Sequence, residues 1–362
     1  MQIGHESFRS IWIDESTDEV RIIDQTALPH AFETLTLHDV ASAAAAIREM
    51  RVRGAPLIGA TAAHGLALAL ASDASDDGLN EAARRLVATR PTAVNLRWAI
   101  DRVRNAVEML APEARAAAAR REAIEICDED VTTCESIGEH GLRLLEALAD
   151  AKRGEPLQIL THCNAGWLAT VDWGTALAPL YKAHLAGMEL HVWVDETRPR
   201  NQGASLTAFE LGQQGIAHTV VVDNAGGHLM QQGLVDAVFV GSDRTTAAGD
   251  VCNKIGTYLK ALAARESDVP FYVALPTSTI DWTLENGHAE IPIEERDADE
   301  VRLVRGRGRG GDLEDVEILP PGTSVANPGF DVTPAHLVTS LVTEHGAINA
   351  NPEALASLRE RI

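Results

Sequence analysis

A thiol and a carboxylate stand at the ends of two strand-like runs. Thr161-His162-Cys163-Asn164-Ala165-Gly166 follows the hydrophobic run Leu157 to Leu160. Gly241-Ser242-Asp243-Arg244 follows Ala237 to Val240. Both runs read as buried parallel strands, and each precedes a segment that reads as a helix. In an open α/β sheet the carboxyl ends of the strands form the binding crevice. Cys163 and Asp243, placed there, can move protons on a small molecule, which makes the chain an enzyme candidate.

The residues around this pair suit an anion. Asn164-Ala165-Gly166 reads as a tight turn into a helix, whose free N–H groups favour phosphate or carboxylate. The same helix dipole should lower the Cys163 pKa. The plainer alternative is a βα loop around a buried cysteine. Asp243 is equally readable as a helix N-cap. Asn253 and Lys254 read as opening a helix beside a glycine turn, another phosphate-binding arrangement. Arg53-Gly54-Ala55-Pro56 offers an arginine fork and a turn, and Arg90-Pro91-Thr92 is similar in character. Each is also an ordinary arginine between helices. Asp195-Glu196-Thr197-Arg198-Pro199 with Gln202-Gly203 ends a third strand, where the polar groups hold sugar hydroxyls or cap the next helix.

The elements that position these residues fall into two groups. Ile11 to Ile13 and Val20 to Ile23 read as a hairpin around Asp14 to Glu19. Helical segments follow over about Leu37 to Met50, Ile58 to Ala71, Leu79 to Ala88, Ala93 to Leu110 and Pro112 to Ala149, the last long enough to be more than one helix. From Leu157 onward, short β-branched runs alternate with helices. The runs are Leu157 to Leu160, Leu190 to Val194, Thr219 to Val222, Ala237 to Val240 and Phe271 to Leu275. The helices are about Leu168 to Ala186, Thr207 to Gln214, His228 to Gln232 and Cys252 to Ala264. Alternation of this kind predicts an α/β fold, a Rossmann-like doubly wound parallel sheet in the C-terminal part. The expected division is a smaller, mostly helical N-terminal domain with a hairpin, residues 1–150, and a catalytic domain, residues 151–362. The stretch Arg305-Gly306-Arg307-Gly308-Arg309-Gly310-Gly311 reads as an exposed loop between strands.

Composition narrows the function. Hydrophobic residues make up 45% of the 362-residue chain, enough for a globular core. No apolar stretch approaches the ~20 residues of a membrane span, and the N-terminus lacks a signal-peptide layout. These features predict a soluble, cytoplasmic protein without a membrane partner. A net charge of −22 excludes nucleic acid as a partner. Only four lysines occur, Lys152, Lys182, Lys254 and Lys260. An acidic excess with so little lysine predicts a high-salt cytoplasm, because such charge destabilises a compact state unless salt screens it. Cys127, Cys134 and Cys252 read as buried apolar residues, and no spacing indicates a metal site.

In order along the chain, these motifs resemble those of the 5-methylthioribose-1-phosphate isomerase family. They are Arg53 to Pro56, Arg90 to Leu96, Thr161 to Gly166, Asp195 to Pro199, Gly241 to Arg244, Gly249-Asp250 with Asn253 to Thr257, Pro276 to Thr279, and Asn327-Pro328 with Phe330 to Pro334. The resemblance covers nearly the whole length. The wider superfamily includes ribose-1,5-bisphosphate isomerases and the regulatory subunits of initiation factor 2B, which lack the cysteine–aspartate pair. The resemblance implies a homodimer, no cofactor and a sugar phosphate substrate. It assigns Cys163 and Asp243 as the catalytic pair, and Arg53, Gly54, Ala55, Arg90, Gln202, Asn253 and Lys254 as substrate-binding positions. Trp167 and Thr245-Thr246-Ala247-Ala248 depart from the family pattern; lying beside the site, they bear on the 5-substituent. The implied reaction is isomerisation of an aldose 1-phosphate to a ketose 1-phosphate. Its anomeric oxygen carries phosphate, so an acid must protonate the ring oxygen while another group acts at C1–C2. Ribose 1,5-bisphosphate or a 5-deoxypentose 1-phosphate is the alternative substrate, and a non-catalytic regulatory subunit is the remoter reading.

Overall fold

A computed structural model describes residues 1–90, 93–152 and 154–362. Pro91 and Thr92 of the Arg90 to Leu96 motif lie outside the described residues.

The N-terminal part is a small sheet on a helical layer. After β1 (Gln2–Ile3) and β2 (Glu6–Ser7), strands β3 (Ile11–Ile13), β4 (Val20–Ile23) and β5 (Thr34–Leu37) form an antiparallel sheet. The expected hairpin is present, with Ile13 opposite Val20. The third strand pairs Val20 with Leu37 and was not expected, because four residues carry little periodicity. Helices α1 (Val40–Arg48), α2 (Ala55–Ser72), α3 (Asp76–Val87), α4 (Val94–Val107) and α5 (Pro112–Lys152) follow. A capping box starts α1: the Ser42 N–H donates to the Asp39 carboxylate at 2.7 Å, and the Ser42 hydroxyl accepts from the Asp39 N–H at 3.0 Å. Helix α2 is long and apolar enough to cross a membrane by composition, contrary to the reading of the sequence, yet most of it is buried among α1, α3, α4 and α5. Helix α5 is one continuous helix of 41 residues rather than several. No proline interrupts it after Pro112, and its alanines keep helical propensity high.

The C-terminal part begins with β6 (Leu157–Thr161), α6 (Ala178–Leu185), β7 (Leu190–Asp195), α7 (Ala208–Gln213), β8 (Ala217–Val221), α8 (Ala225–Gln231) and β9 (Ala237–Val240). Then come β10 (Arg244–Thr246), β11 (Val251–Lys254), α9 (Thr257–Glu266), β12 (Phe271–Ala274), β13 (Ile280–Asp281), α10 (Gly287–Glu290) and α11 (Asp299–Arg302). The chain ends with β14 (Leu303–Arg307), β15 (Leu313–Glu317), β16 (Phe330–Thr333), β17 (Ser340–Thr343), β18 (Gly346–Ile348) and α12 (Pro352–Arg359). The main sheet has the order β18-β17-β12-β9-β6-β7-β8, parallel except for β18. This is the predicted doubly wound α/β sheet. Every residue of β9 and β12 is buried, as both-face coverage by helices requires. From β6 the chain winds outward through β7 and β8, then returns to place β9 on the other side of β6. The ends of β6 and β9 therefore flank the topological switch point, where α/β sheets bind ligands.

Several expected helices take other forms. Leu168 to Ala186 is helical only at a 3-10 turn, Trp167–Ala169, and in α6. Between them Trp173 and Gly174 adopt positive φ, which no helix accepts. Cys252 to Ala264 opens as strand β11, which pairs with β10 and β16 before α9 begins. Its partner Phe330–Thr333 is remote in sequence, so the local pattern could not reveal the pairing. The Arg305 to Gly311 stretch is half strand: β14 and β15 form a hairpin with Arg305 opposite Asp315.

One half-buried acid in α5 makes stability depend on pH. Asp130 accepts the Val171 N–H at 2.7 Å and lines a cavity of about 450 Å³ with Trp98, Trp282 and Ser278. Burial pushes its carboxyl up to about 7. The unfolded carboxyl ionises near 3.9, so the unfolded state loses its proton first as pH rises. Stability from this group is full below about pH 4, falls towards pH 7 and stays flat above. Because the carboxyl borders a cavity, screening limits the loss to roughly 1–3 kcal/mol. Asp130→Asn keeps the acceptor for Val171 and should be the more stable protein at pH 8 by that amount. Urea melts at pH 5 and pH 8 measure it; equal pH dependence in parent and variant would rule the effect out.

Candidate functional site

Cys163 leaves the end of β6 in a left-handed conformation, φ +66°. Two threonines hold this strained turn. The Cys163 N–H donates to Thr197 Oγ1 at 2.8 Å, and its carbonyl accepts from the Thr207 hydroxyl at 2.7 Å. No α-helix starts here, so the expected dipole on the thiol is missing. Burial instead pushes the Cys163 thiol up, while the charges of Arg53 and Lys254 pull it down and that of Asp243 pushes it further up. The thiol is the protonated form that such burial favours.

Asp243 leaves β9 one strand away. Its N–H donates to the Cys252 carbonyl at 2.9 Å, and the chain turns directly into β10. The N-cap reading therefore fails, because no helix follows. Burial pushes the Asp243 carboxyl up; Lys254, Arg90 and Arg53 pull it down, and Glu294 opposes them. Lys254 lies on strand β11 rather than at a helix start. Burial pulls its ammonium down, while Cys163 and Asp243 push it up. Among the described residues no carboxylate lies within 4.0 Å of the Lys254 ammonium, which stands 5.2 Å from the centre of the Phe330 ring. A buried cation without a counter-ion is costly unless a ligand supplies the charge.

The remaining predicted positions divide between two cavities and the backbone beside them. Arg53 donates from both terminal nitrogens to Asn164, at 2.5 Å to its side chain and 2.6 Å to its carbonyl. It thus clamps the Cys163 turn as well as offering charge. Gly54 must be glycine: its φ is +95°, and a Cβ would lie 2.3 Å from the Ala169 carbonyl oxygen. That contact seats Ala55 at the start of α2, where no side chain caps the free N–H groups. Arg90 is buried and ion-paired to Glu294 at 3.1 Å. Asp243, Arg90 and Ala55 share a small chamber of about 30 Å³ with Cys252 and Phe330. Arg53 and Gln202 open on a larger cavity of about 330 Å³ with Leu28, Met50, Leu206 and Arg305. Gln202 is buried, and its Oε1 has no partner among the described residues. It leads into a π-helical turn, Gly203–Thr207. Asn253 points into its own fold, donating to Thr257 Oγ1 at 2.9 Å. Trp167, expected beside the 5-substituent, is instead fully buried in the core with Leu177 and Tyr181, and Thr245 and Thr246 are buried in β10.

Sequence reading did not single out Asn164, Thr207 and Glu210 individually. Glu210 is fully buried and accepts from Tyr181 Oη at 2.5 Å, Asn164 Nδ2 at 3.0 Å and two backbone N–H groups. It fixes Asn164, and through it Arg53. A glutamate in a helical run gives no local sign of this. His162, Asp195 and Asp223 lie close enough to share a metal ion, but the Lys260 ammonium sits 3.1 Å from Asp195 Oδ2 and also donates to the Asp223 carbonyl. A cation already occupies that position.

The chain is similar to known proteins over its full length. Residues 51–350 match the initiation factor 2 subunit family. A methylthioribose-1-phosphate isomerase of Methylorubrum populi is 62% identical over 359 residues, 99% of this chain and 98% of the relative. The 5-methylthioribose 1-phosphate isomerase of Pyrococcus horikoshii has a similar structure, with TM-score 0.83, 38% identity and both chains covered completely. A protein of A. fulgidus described as the delta subunit of translation initiation factor 2B superposes with TM-score 0.78 at 40% identity, over 97% of this chain and all of that one.

Proposed function

The chain belongs to the initiation factor 2 subunit family, and from that premise we propose that it isomerises 5-methylthioribose 1-phosphate to 5-methylthioribulose 1-phosphate, a step of methionine salvage. The observation that carries this reading is the convergence of Cys163 and Asp243 at the switch point of a chain similar over its full length to isomerases of that name. The isomerase reading gives a role to each of three groups that feel one another's charge: the buried Cys163 thiol, the half-buried Asp243 carboxyl and the Lys254 ammonium.

In the proposed reaction Asp243, whose carboxyl burial shifts towards the neutral form, gives its proton to the ring oxygen as the bond from C1 to that oxygen breaks. The hydrogen on C2 moves to C1. The C2 hydroxyl becomes the ketone, and its proton returns to the protein, which restores the acid. Cys163 lies against C1–C2, and Arg53, Arg90 and Lys254 supply the charge for phosphate. Leu28, Met50 and Leu206 of the larger cavity offer apolar contact for the methylthio group. Burial shifts both Cys163 and Asp243 towards their neutral forms, which favours direct transfer of the C2 hydrogen over its removal by a base. Substrate deuterated at C2 should therefore keep its label at C1; complete washout into water would establish a proton-transfer path instead.

A phosphorus NMR panel in high salt tests the substrate. The methylthio sugar should be consumed with kcat/KM at least ~10-fold above ribose 1,5-bisphosphate and 5-deoxyribose 1-phosphate, the scale of discrimination an apolar pocket gives. Preference for the bisphosphate would move the substrate assignment, and inertness to all three would favour the regulatory reading.

The same proposal places the protein in a reducing, salt-rich cytoplasm as a homodimer. All four cysteines are free. Tyr258, Leu259 and Leu262 stand exposed on α9, an apolar face that a second copy can cover. With a net charge of −22, melting temperature and activity should both rise from dilute buffer to molar KCl, where the Debye length is about 3 Å. Values that do not change across that range count against the high-salt reading.

A further inference from the structure

Behind the Cys163 turn lies a buried polar cluster to which the proposed reaction gives no role. The ring of His162 is buried, and both its nitrogens face acceptors: Nδ1 is 2.9 Å from Asp195 Oδ2, and Nε2 is 2.8 Å from the Ile255 carbonyl. Lys260, buried on α9, brings its ammonium to the same Asp195 oxygen at 3.1 Å. It also donates to the Asp223 carbonyl. The Asp223 carboxylate takes the N–H groups of Thr197 and Arg198, each at 2.7 Å. Thr197 in turn accepts the Cys163 N–H and donates to the Asp195 carbonyl at 2.9 Å.

Three chain segments meet in this cluster. His162 precedes Cys163 at the end of β6, Asp195 ends β7, and Ile255 follows Lys254 at the end of β11. The imidazole spans the gap between the first and the last. Its fit is tight: Gly256 has φ +103°, and a Cβ there would lie 2.9 Å from His162 Cε1. A buried ion pair of this kind contributes little net stability against an apolar replacement, but it fixes geometry.

We propose that His162, held by Asp195 and Lys260, is a positioning residue that sets the spacing between Cys163 and Lys254. This rests on the isomerase reading for its consequence in turnover, but not for the geometry itself. Without the imidazole, the Cys163 turn loses its direct tie to the Lys254 strand. Substrate is then held by Lys254 at one spacing and met by Cys163 at another. A near-attack arrangement is sensitive to such shifts.

The test combines kinetics with thiol labelling. His162→Gln retains an amide donor able to reach the Ile255 carbonyl, and His162→Ala retains none. Lys260→Met keeps the stem and removes the charge that anchors Asp195. In His162→Ala, kcat should fall at least ~10-fold and KM should rise several-fold, with His162→Gln recovering most of both. Alkylation by iodoacetamide, resolved by mass spectrometry at each cysteine, should change at least ~5-fold at Cys163 while Cys127, Cys134 and Cys252 react as in the parent. If His162→Ala does not fold, Lys260→Met carries the same expectation. Unchanged kinetics and labelling in a folded variant overturn the proposal. So does a rise at all four cysteines together, which is the signature of simple loosening. Labelling needs no substrate, so the geometry is decided even if the parent isomerises none of the sugar phosphates tested.

Discussion

Asp243→Asn should fold as the parent does and lose at least ~100-fold in kcat on 5-methylthioribose 1-phosphate. The substitution keeps shape and volume but leaves no proton to give the ring oxygen. It does not weaken a helix cap, because β10 begins at the next residue and the backbone N–H remains bonded to Cys252. Nor does it cost stability by burial, since the carboxyl it replaces is already held towards its neutral form. Cys163→Ala should behave alike. Its backbone stays pinned by Thr197 and Thr207, and alanine meets the same positive φ that cysteine does. The double variant should be no worse than the poorer single one if both groups serve one transition state. Rates by phosphorus NMR and melting curves decide it: near-parent kcat in either folded variant removes that residue from the chemistry.

Lys254→Met should separate binding from stability. The ammonium is buried beside Phe330 with no carboxylate at ion-pair distance among the described residues. Folding bears that cost, and a substrate phosphate would offset it. Removing the charge should raise KM roughly 10- to 150-fold, about 1.5–3 kcal/mol for a lost charged hydrogen bond. The melting temperature should stay level or rise, because the unpaired charge is gone and the stem still packs. Arg53→Ala should differ. Its guanidinium is spent on Asn164, so its loss should lower stability and kcat as well as binding. The sequence offered Arg53 as a phosphate clamp only; a KM effect alone would restore that simpler role, and an unchanged KM for Lys254→Met would exclude it from the site.

Much of the fold was legible because its signals are local. The run Leu157 to Leu160, buried except at Gln158, and the fully buried run Ala237 to Val240 read as interior strands, and their alternation with helices points to a parallel sheet. That sheet puts residues 163 and 243 at the carboxyl ends of two strands, and the fold makes those strands neighbours. Boundaries failed where the deciding partner was distant. Val251 to Lys254 is a strand because Phe330 to Thr333 lies beside it, and Thr170 to Leu177 is not helical because Trp173 and Gly174 turn the chain.

By itself the sequence determined the order of the elements, the two strand ends and the residue types that meet there, since hydrophobic period and turn chemistry act over a few residues. Only the tertiary structure decided their states. Whether the Cys163 thiol is pulled down by a helix or pushed up by burial depends on what packs around it, and burial prevails. Whether Lys254 is paired depends on which carboxylates the fold brings near, and none comes within 4.0 Å among the described residues. Desolvation and charge pairing are sums over neighbours from the whole chain, so a linear reading holds the groups but not their electrostatics.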